Sequence, residues 1–585
     1  MCPFIRKKDK NLIQNYRPVS LLPICGKIFE KLIFDNLYPY IFNNQFIDDR
    51  QSGYRHADST VKQLLSITHE IYKAFDDNKE LRAVFLDISR AFDKVWAEGL
   101  IFKLKHIGIE GDIINILTSF LANRKQRVTM DGICSEWADV EAGVPQGSIL
   151  GPILFLVYIN DLFEVVTSDI RIFADDTFIF RIVDPTSTAD LNNDLRNITA
   201  WAHQWKMLFN PDMSKQAVEV VFSKKVVPSE FDQLDFNGIT SKQEEETKHL
   251  GLLLDRKLNF ESHLQEKLAK ARQGLGMMIQ LKKWVAHPVL ETVYKLYVRP
   301  HLDYCDTVYH KASPANGETT IFRKETKIVI LKEVETIQYK AARIITGAWD
   351  KSNRLALYKN LGWESLEDRR TMRKLCLLHE TLENKFPRYL SAIVEKQQHV
   401  SKRLQDARIL VEIPCNRLLG QSFFPSTISD WNKLDQETRL VKSRAKFKNI
   451  LLNKIRPKKD SYFGLMNNDK VKYITILRMG LSPLKEHKFR YGFEEELRTG
   501  PNCAVCDIPE TTEHYLLYCR SFRLSRTTLF EKVSEIMNVD FSTLPRITKK
   551  KTLLYGESEL TDEQNLKILS FTTEFIEQSK RLSTI

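Results

Sequence analysis

Hydrophobic positions in the first half of the chain alternate between two rhythms. Short unbroken apolar runs, as in strands buried on both faces, are separated by stretches where apolar residues return every three or four positions, as on helices. A helix is predicted over Thr60–Phe75. The run ELRAVFLD (80–87) predicts a buried strand ending in Asp87. Helices follow over Gly99–His106 and Asp112–Ala122, then a strand over Gln126–Met130. A further helix, Pro152–Val166, stands behind a glycine-bearing loop. Ile170–Phe173 and Thr177–Ile182 predict two short strands around Ala174-Asp175-Asp176, a hairpin with two carboxylates at its turn. Leu191–Leu208 reads as helix and Gln216–Phe222 as strand. From about 256 to 450 helical periods dominate, broken by a polar stretch, 316–332, that reads as an inserted loop. The last stretch holds a cysteine cluster and a helical tail. There is no internal repeat and no low-complexity segment.

Composition narrows this α+β picture. A chain of 585 residues with 43% hydrophobic residues can bury a large core and more than one domain. Lys plus Arg number 87 against 75 Asp plus Glu, a formal net charge of +12 that suits a polyanionic partner. Eight basic residues and no acidic one fall in Lys442–Lys459. The charged first residues do not resemble a secretory signal. The longest uncharged apolar run, Ile149 to Ile159, is well short of the roughly 18 residues of a membrane span. The expectation is an intracellular, soluble protein that meets no membrane. Of nine cysteines, six are scattered and read as reduced thiols, whereas Cys503, Cys506 and Cys519 cluster and call for a metal.

Transfer of a nucleotide requires two Mg²⁺ ions roughly 3.5–4 Å apart, and Mg²⁺ takes a few carboxylates with phosphate and water completing its shell. A strand end beside a hairpin turn can hold such carboxylates together. Asp87 and Asp175 can point into one cleft if the two elements pair. Adjacent strand residues face opposite sides, so Asp176 is expected to contribute less unless the turn re-aims it. Taken alone, Asp-Asp reads more simply as an ordinary turn.

The pair is accompanied by other motifs. FLDISRAFDKVW (85–96), AGVPQGSILGP (142–152) and FADDT (173–177) resemble, in order and spacing, the A, B and C motifs of a reverse transcriptase palm. NYRPVSLLP (15–23), KIFEKLI (27–33) and QSGYR (51–55) with DST (58–60) resemble the fingers of that family. Trp201, Trp205, Asn210 and Lys215 resemble motif D, and KHLGLLLD (248–255) resembles the primer grip. The resemblance spans roughly residues 5–310 and is nearest to the jockey-like group of non-LTR retrotransposons. It implies an RNA-directed DNA polymerase with a right-hand fold: fingers 1–80, palm 81–255, helical thumb 256–400, and a nucleic-acid-binding C-terminal region 401–585 with a zinc knuckle near 500–525.

The resemblance also implies roles. Asp87, Asp175 and Asp176 match the metal-binding catalytic aspartates. Phe92 matches the gate that excludes a ribonucleotide's 2′-OH. Arg17, with Lys7 or Lys8, matches the residues that bind the incoming triphosphate. Gln146 and Gly147 match the loop along template and nucleotide, where glycine permits close backbone approach. Lys215 stands where a proton donor to pyrophosphate would, and a solvated surface lysine is an equal reading. Singly, Arg17 reads as a salt-bridge partner and Phe92 as core.

Cys503-x₂-Cys506-x₇-His514-x₄-Cys519 offers four ligands with the spacing of a closed, structural zinc site. The alternative is a thiol pair near a surface histidine. The cluster also resembles the Cys-Cys-His-Cys segment of non-LTR reverse transcriptases. Nearby Arg520, Arg523 and Arg526 are candidate nucleic-acid contacts or a solvated helix face.

Departures from the family pattern are Ala97 after Val-Trp, His56-Ala57 after QSGYR and the insertion at 316–332. No endonuclease precedes the fingers and no ribonuclease H pattern follows. The expectation is a truncated, decaying copy whose RNA template, DNA primer and deoxynucleotides meet in the nucleus after a cytoplasmic ribonucleoprotein stage, with the nick made by another chain. Two other readings stand beside it. An RNA-dependent RNA polymerase usually has Gly-Asp-Asp and a polar gate, against Ala174 and Phe92 here. A catalytically inactive nucleic-acid-binding relic is disfavoured by the three retained aspartates.

Overall fold

The computed structural model describes residues 2–5, 16–130, 132–183, 188–210, 217–309, 324–348, 353–384, 387–395, 409, 417–457, 468–480, 482–490, 492–557 and 559–582. They form two compact units, one of residues 1–263, 307–317 and 374–444 and one of 264–306, 318–373 and 445–585. These limits cut across the expected boundaries. The first break falls at 263, inside the helix Glu261–Leu281, and the region assigned to the thumb is divided between the units.

The first unit is built on a five-stranded sheet. Its strands are β1 (Glu80–Asp87), β2 (Asp169–Phe173), β3 (Asp176–Val183), β4 (Ala217–Phe222) and β5 (Lys242–Gln243), in the order β5-β4-β1-β3-β2. All neighbours are antiparallel except β4 and β5. The central β1 is buried along all but its last residue, with its apolar stretch Ala83–Leu86 covered on both faces. Val84 and Leu86 face a core shared with the helices Ile24–Asn43, Ala97–His106, Gly151–Ile159 and Thr188–Gln204. Gly151–Ile159 is apolar all round and wholly buried apart from Pro152, as such a helix must be. On the opposite face Phe85 meets Phe178 and His249, with ring centroids 4.9 and 5.2 Å apart. Burial lowers the His249 pKa to about 3, so that imidazole is neutral. Towards the strand's other end a buried ion pair, Arg82–Glu219 at 2.7 Å, is completed by Ser241 donating to Glu219.

Several sequence expectations change in detail. Gln126–Met130 is not one strand: Arg124–Gln126 pairs with Ala138–Val140, and Thr129–Met130 with Ile133–Cys134. Between them the Ser135 hydroxyl takes the Val128 N–H in place of a backbone partner. The predicted helix Pro152–Val166 ends at Ile159 and continues as a 3₁₀ turn, Asn160–Glu164, where the Asn160 amide is drawn to Phe46 and Asp48. The helix predicted to reach Leu208 stops at Gln204, because Phe209 pairs with Ile88. Of the stretch read as a loop at 316–332, residues 316–323 lie outside the described residues. The remainder starts the helix Lys324–Thr346, which buries Val334, Ile337, Ala341 and Ile345 at helical spacing.

In the second unit a separate core gathers Ile476, Leu477, Tyr515, Leu516, Leu529, Val533, Leu553, Phe575 and Ile576. These belong to helices Asn468–Met479, Arg523–Met537, Arg546–Tyr555 and Asp562–Ser579 and the short turn His514–Tyr518. The last helix starts in a capping box, Thr561 with Gln564. Among the described residues no helix is long and apolar enough to cross a membrane.

Candidate functional site

β2 and β3 close on a two-residue turn, with Phe173 opposite Asp176 and Ala174 and Asp175 between them. Ala174 has φ +57°, a left-handed conformation that an L side chain adopts at a cost of about 1–2 kcal/mol. Its neighbours hold it there. The buried Gln51 side chain accepts the Ala174 N–H at 2.9 Å and donates to its carbonyl at 3.4 Å. Gly53 lies so close that a Cβ there would stand 2.3 Å from the Ala174 nitrogen. Arg50 and Ser52 exchange backbone hydrogen bonds with Ile172 on β2 at 3.2 and 2.9 Å. The motif QSGYR is therefore the turn's support.

The register sets Asp176 straight across from Asp87. Directly opposed residues of antiparallel strands share a face, so these carboxylates lie side by side at the end of the face that carries Phe85 and Phe178. That alters the expectation from strand alternation, in which Asp176 had the lesser share. Asp175 is the second turn residue, and all three aspartates are partly exposed. Asn210 secures the strand end: its amide donates to Asp87 Oδ2 at 2.7 Å and its backbone N–H to the Asp87 carbonyl at 2.9 Å. Three hard carboxylates on two adjacent strand ends are a donor set that suits divalent cations.

The other motifs converge on one loop. Val144 donates to the Phe92 carbonyl at 2.8 Å and Gly143 to that of Val95 at 2.7 Å. Gln146 donates through its side chain to Asp93 at 3.0 Å, and its carbonyl accepts from Ser20 at 2.8 Å. Gly147 has φ +105°, and a Cβ there would come within 2.9 Å of the Ser20 carbonyl, so glycine is needed on both counts. The buried Glu30 carboxylate accepts the N–H groups of Ile149 and Leu150 at 2.7 and 3.1 Å, just ahead of the helix Gly151–Ile159. Phe92 is half-buried, stacked on Phe155 at 4.7 Å with Tyr54 edge-on at 5.8 Å. Arg17 lies on the strand Tyr16–Val19, paired with Cys2–Ile5, and its side chain is outside the described residues. Lys7, Lys8 and Lys215 are also outside them. Trp201 and Trp205 are core: with Tyr158 they enclose Lys103, whose pKa burial lowers to about 8 and whose ammonium pairs with Asp161 at 2.7 Å.

Sequence reasoning gave no separate role to Gln51, Gly53, Glu30 or Asn210. Each sits inside a motif already noted, but its work depends on a partner distant in sequence.

In the second unit the ligand atoms of Cys503, Cys506, His514 and Cys519 all lie within 4.8 Å of one another. The Cys503 and Cys519 sulfurs are 3.9 Å apart, close to the roughly 3.8 Å edge of a zinc–thiolate tetrahedron with bonds of about 2.3 Å. His514 is buried with neither ring nitrogen hydrogen-bonded, a costly state unless one of them ligates a metal. Burial lowers its pKa, which keeps the imidazole neutral. Burial pushes the Cys503 thiol up, but the N–H groups of Val505 and Cys506 outweigh it and the pKa is lowered. The set fits zinc. Arg526 fits neither reading given to it, nucleic-acid contact or solvated helix face: it is buried and donates to the carbonyls of Leu516 and Cys519 at 3.0 and 2.6 Å. Arg520 and Arg523 are exposed.

Comparison with known proteins gives a consistent picture. Residues 5–254 match the family described as reverse transcriptase (RNA-dependent DNA polymerase). A probable RNA-directed DNA polymerase from transposon BS of Drosophila melanogaster is 27% identical over 374 residues, covering 62% of this chain and 39% of the relative. The RNA-directed DNA polymerase from mobile element jockey of the same organism is 29% identical over 353 residues, covering 57% and 36%. The chain thus spans less than half the length of these curated relatives. An apo telomerase structure from Candida tropicalis is 13% identical with a TM-score of 0.32, over 62% of this chain and 55% of that one. So loose a superposition decides nothing further.

Proposed function

With residues 5–254 forming a domain of the reverse transcriptase family, we propose that this chain is the RNA-directed DNA polymerase of a jockey-like non-LTR retrotransposon, extending a DNA primer along the element's RNA. The observation that carries the reading is Asp176 in register with Asp87, with Asp175 at the adjoining turn. Asp87, Asp175 and Asp176 would hold two Mg²⁺ ions, whose chemistry is to stabilise the attacking 3′ oxygen and the leaving phosphate. The residues do the rest by position. Asn210 fixes Asp87, and Gln51 fixes the turn. The loop through Gln146 and Gly147 offers backbone along template and nucleotide. Phe92, braced by Phe155, blocks a 2′-OH. Arg17 with Lys7 or Lys8 receives the triphosphate, and Lys215 donates a proton to the departing pyrophosphate. Cys503, Cys506, His514 and Cys519 hold one structural zinc in a region that binds nucleic acid. The reaction takes place in the nucleus after a cytoplasmic ribonucleoprotein stage.

The deciding experiment is primer extension on an RNA template with deoxynucleotides and Mg²⁺. Templated DNA product, absent without Mg²⁺, is expected. Protein that binds the duplex but yields no product would defeat the reading.

A further inference from the structure

The catalytic turn hangs on Arg50–Gly53, and what anchors that run lies far away in the chain. The Ser52 hydroxyl donates to the Tyr389 hydroxyl at 3.2 Å, which donates to Asp58 Oδ1 at 2.7 Å. Tyr389 and Asp58 are 331 residues apart in sequence yet belong to one compact unit. Asp58 Oδ1 also accepts the Ser59 N–H at 2.7 Å, just before the helix Thr60–Asp76, which Ser59 caps. Its other oxygen is buried without a hydrogen-bond partner. A second tie runs parallel: Lys62 pairs with Glu380 at 2.8 Å, both side chains nearly inaccessible, and donates to the Ala57 carbonyl at 2.5 Å. The helix Arg388–Glu395 packs on Thr60–Asp76 and buries Leu390 and Val394.

We propose that Tyr389, with Glu380, is a positioning residue: the helical residues 374–384 and 388–395 clamp the loop 50–59 and the start of the helix behind it, and through Ser52 and Gln51 that loop holds the Ala174–Asp175–Asp176 turn at the spacing its metals require. The metals rest on the polymerase reading; the mechanical link does not. Deleting the Tyr389 hydroxyl leaves Ser52 without its acceptor and Asp58 Oδ1 with the Ser59 N–H but no longer the phenol, so the loop is held by fewer bonds and the turn with it. Outer partners of metal ligands act in this way, without touching the metal.

The test uses the full chain with Tyr389→Phe, which keeps the ring and its packing. Without metal, hydrogen exchange of the Ile172 and Ala174 amides is expected to quicken about tenfold, the factor that loss of one hydrogen bond in a buried site gives. Exchange in 514–582 should not change. Binding of Mn²⁺, followed by its paramagnetic resonance signal, is expected to weaken by about the same factor. Unchanged exchange at Ile172 and Ala174 overturns the link. Should Tyr389→Phe loosen the whole unit, Ser52→Ala, which deletes one hydroxyl, is read on the same two amides and either shows the local effect or refutes it. Failure of the wild-type chain to extend primers would strike the polymerase reading and leave the exchange result standing.

Discussion

Gly53→Ala puts the support of the Ala174–Asp175–Asp176 turn, and with it the proposed catalytic role, to a direct test. Gly53 does not occupy a left-handed conformation, so alanine is obstructed only by space. The added Cβ would lie 2.3 Å from the Ala174 nitrogen, 2.8 Å from its Cα and 2.9 Å from its Cβ. Two of these are backbone atoms that no rotamer change can move. Relief to ordinary contact requires the turn and the 51–53 run to separate by about 1 Å, a misplacement that at a reacting centre can cost about 100-fold in rate. Overpacking of this kind also destabilises by about 1–3 kcal/mol, so the fold should survive. The assay is single-nucleotide extension of an annealed DNA primer on RNA, with a thermal melt beside it. Gly276→Ala is the control: in the helix Glu261–Leu281 a Cβ there meets nothing within 4 Å, so it should stabilise by about 1 kcal/mol and leave extension alone. A Gly53→Ala protein that extends within about threefold of wild type would show that this contact does not set the turn.

Other outcomes follow from the same geometry. Asp175→Asn should reduce extension by several orders of magnitude while template binding, measured by filter retention, changes little, because charge rather than size is lost. Phe92→Val should admit ribonucleotides while deoxynucleotide use stays largely intact; an unchanged ratio in competition assays would reduce Phe92 to the packing partner of Phe155. Elemental analysis should find one zinc per chain. Cys506→Ser should lower it and loosen the helices across 468–582, since Tyr515, Leu516 and Leu517 beside the ligands share that core. Extension on a short duplex should survive this change, and loss of that extension would refute the separation of metal from catalysis.

The sheet was legible because its strands declare themselves locally. The stretch Ala83–Leu86 of ELRAVFLD is buried on both faces as its apolar run predicts, and FADDTFIF forms the hairpin its two apolar flanks predict. That Cys503, Cys506, His514 and Cys519 come together was equally legible, since side chains separated by a few residues need only a local turn to meet. Boundaries fared worse wherever a side chain overrode the period, as Asn160 does at the end of Gly151–Ile159. The core beside the Cys-Cys-His-Cys cluster was hidden for a related reason. Read as a segment, 500–525 has little to bury. In the fold, Tyr515 lies 5.5 Å from Phe575, a partner on the last helix.

What periodicity could not reveal is how the aspartates are held. Alternation along one strand gave Asp176 the lesser share unless the turn re-aimed it, because it says nothing about which residue of β1 stands opposite. Register is a property of two strands, set here by the two-residue turn that pairs Phe173 with Asp176 and so brings Asp176 to Asp87. Gln51 and Gly53 raise the same difficulty at longer range. A glutamine and a glycine in a polar loop carry no signal of their own, and each matters only because Ala174 arrives beside it with φ +57° and an N–H to satisfy. Tyr389 lies further off still, in a stretch that the resemblance placed in the thumb. Its contacts with Ser52 and Asp58 join it to the loop beside the turn, within one compact unit. The ligands of such a site can be read from a motif, but the residues that fix their spacing depend on tertiary neighbours. For that reason Gly53→Ala and Tyr389→Phe probe the site more sharply than removal of the aspartates: they leave every ligand in place and disturb only its position.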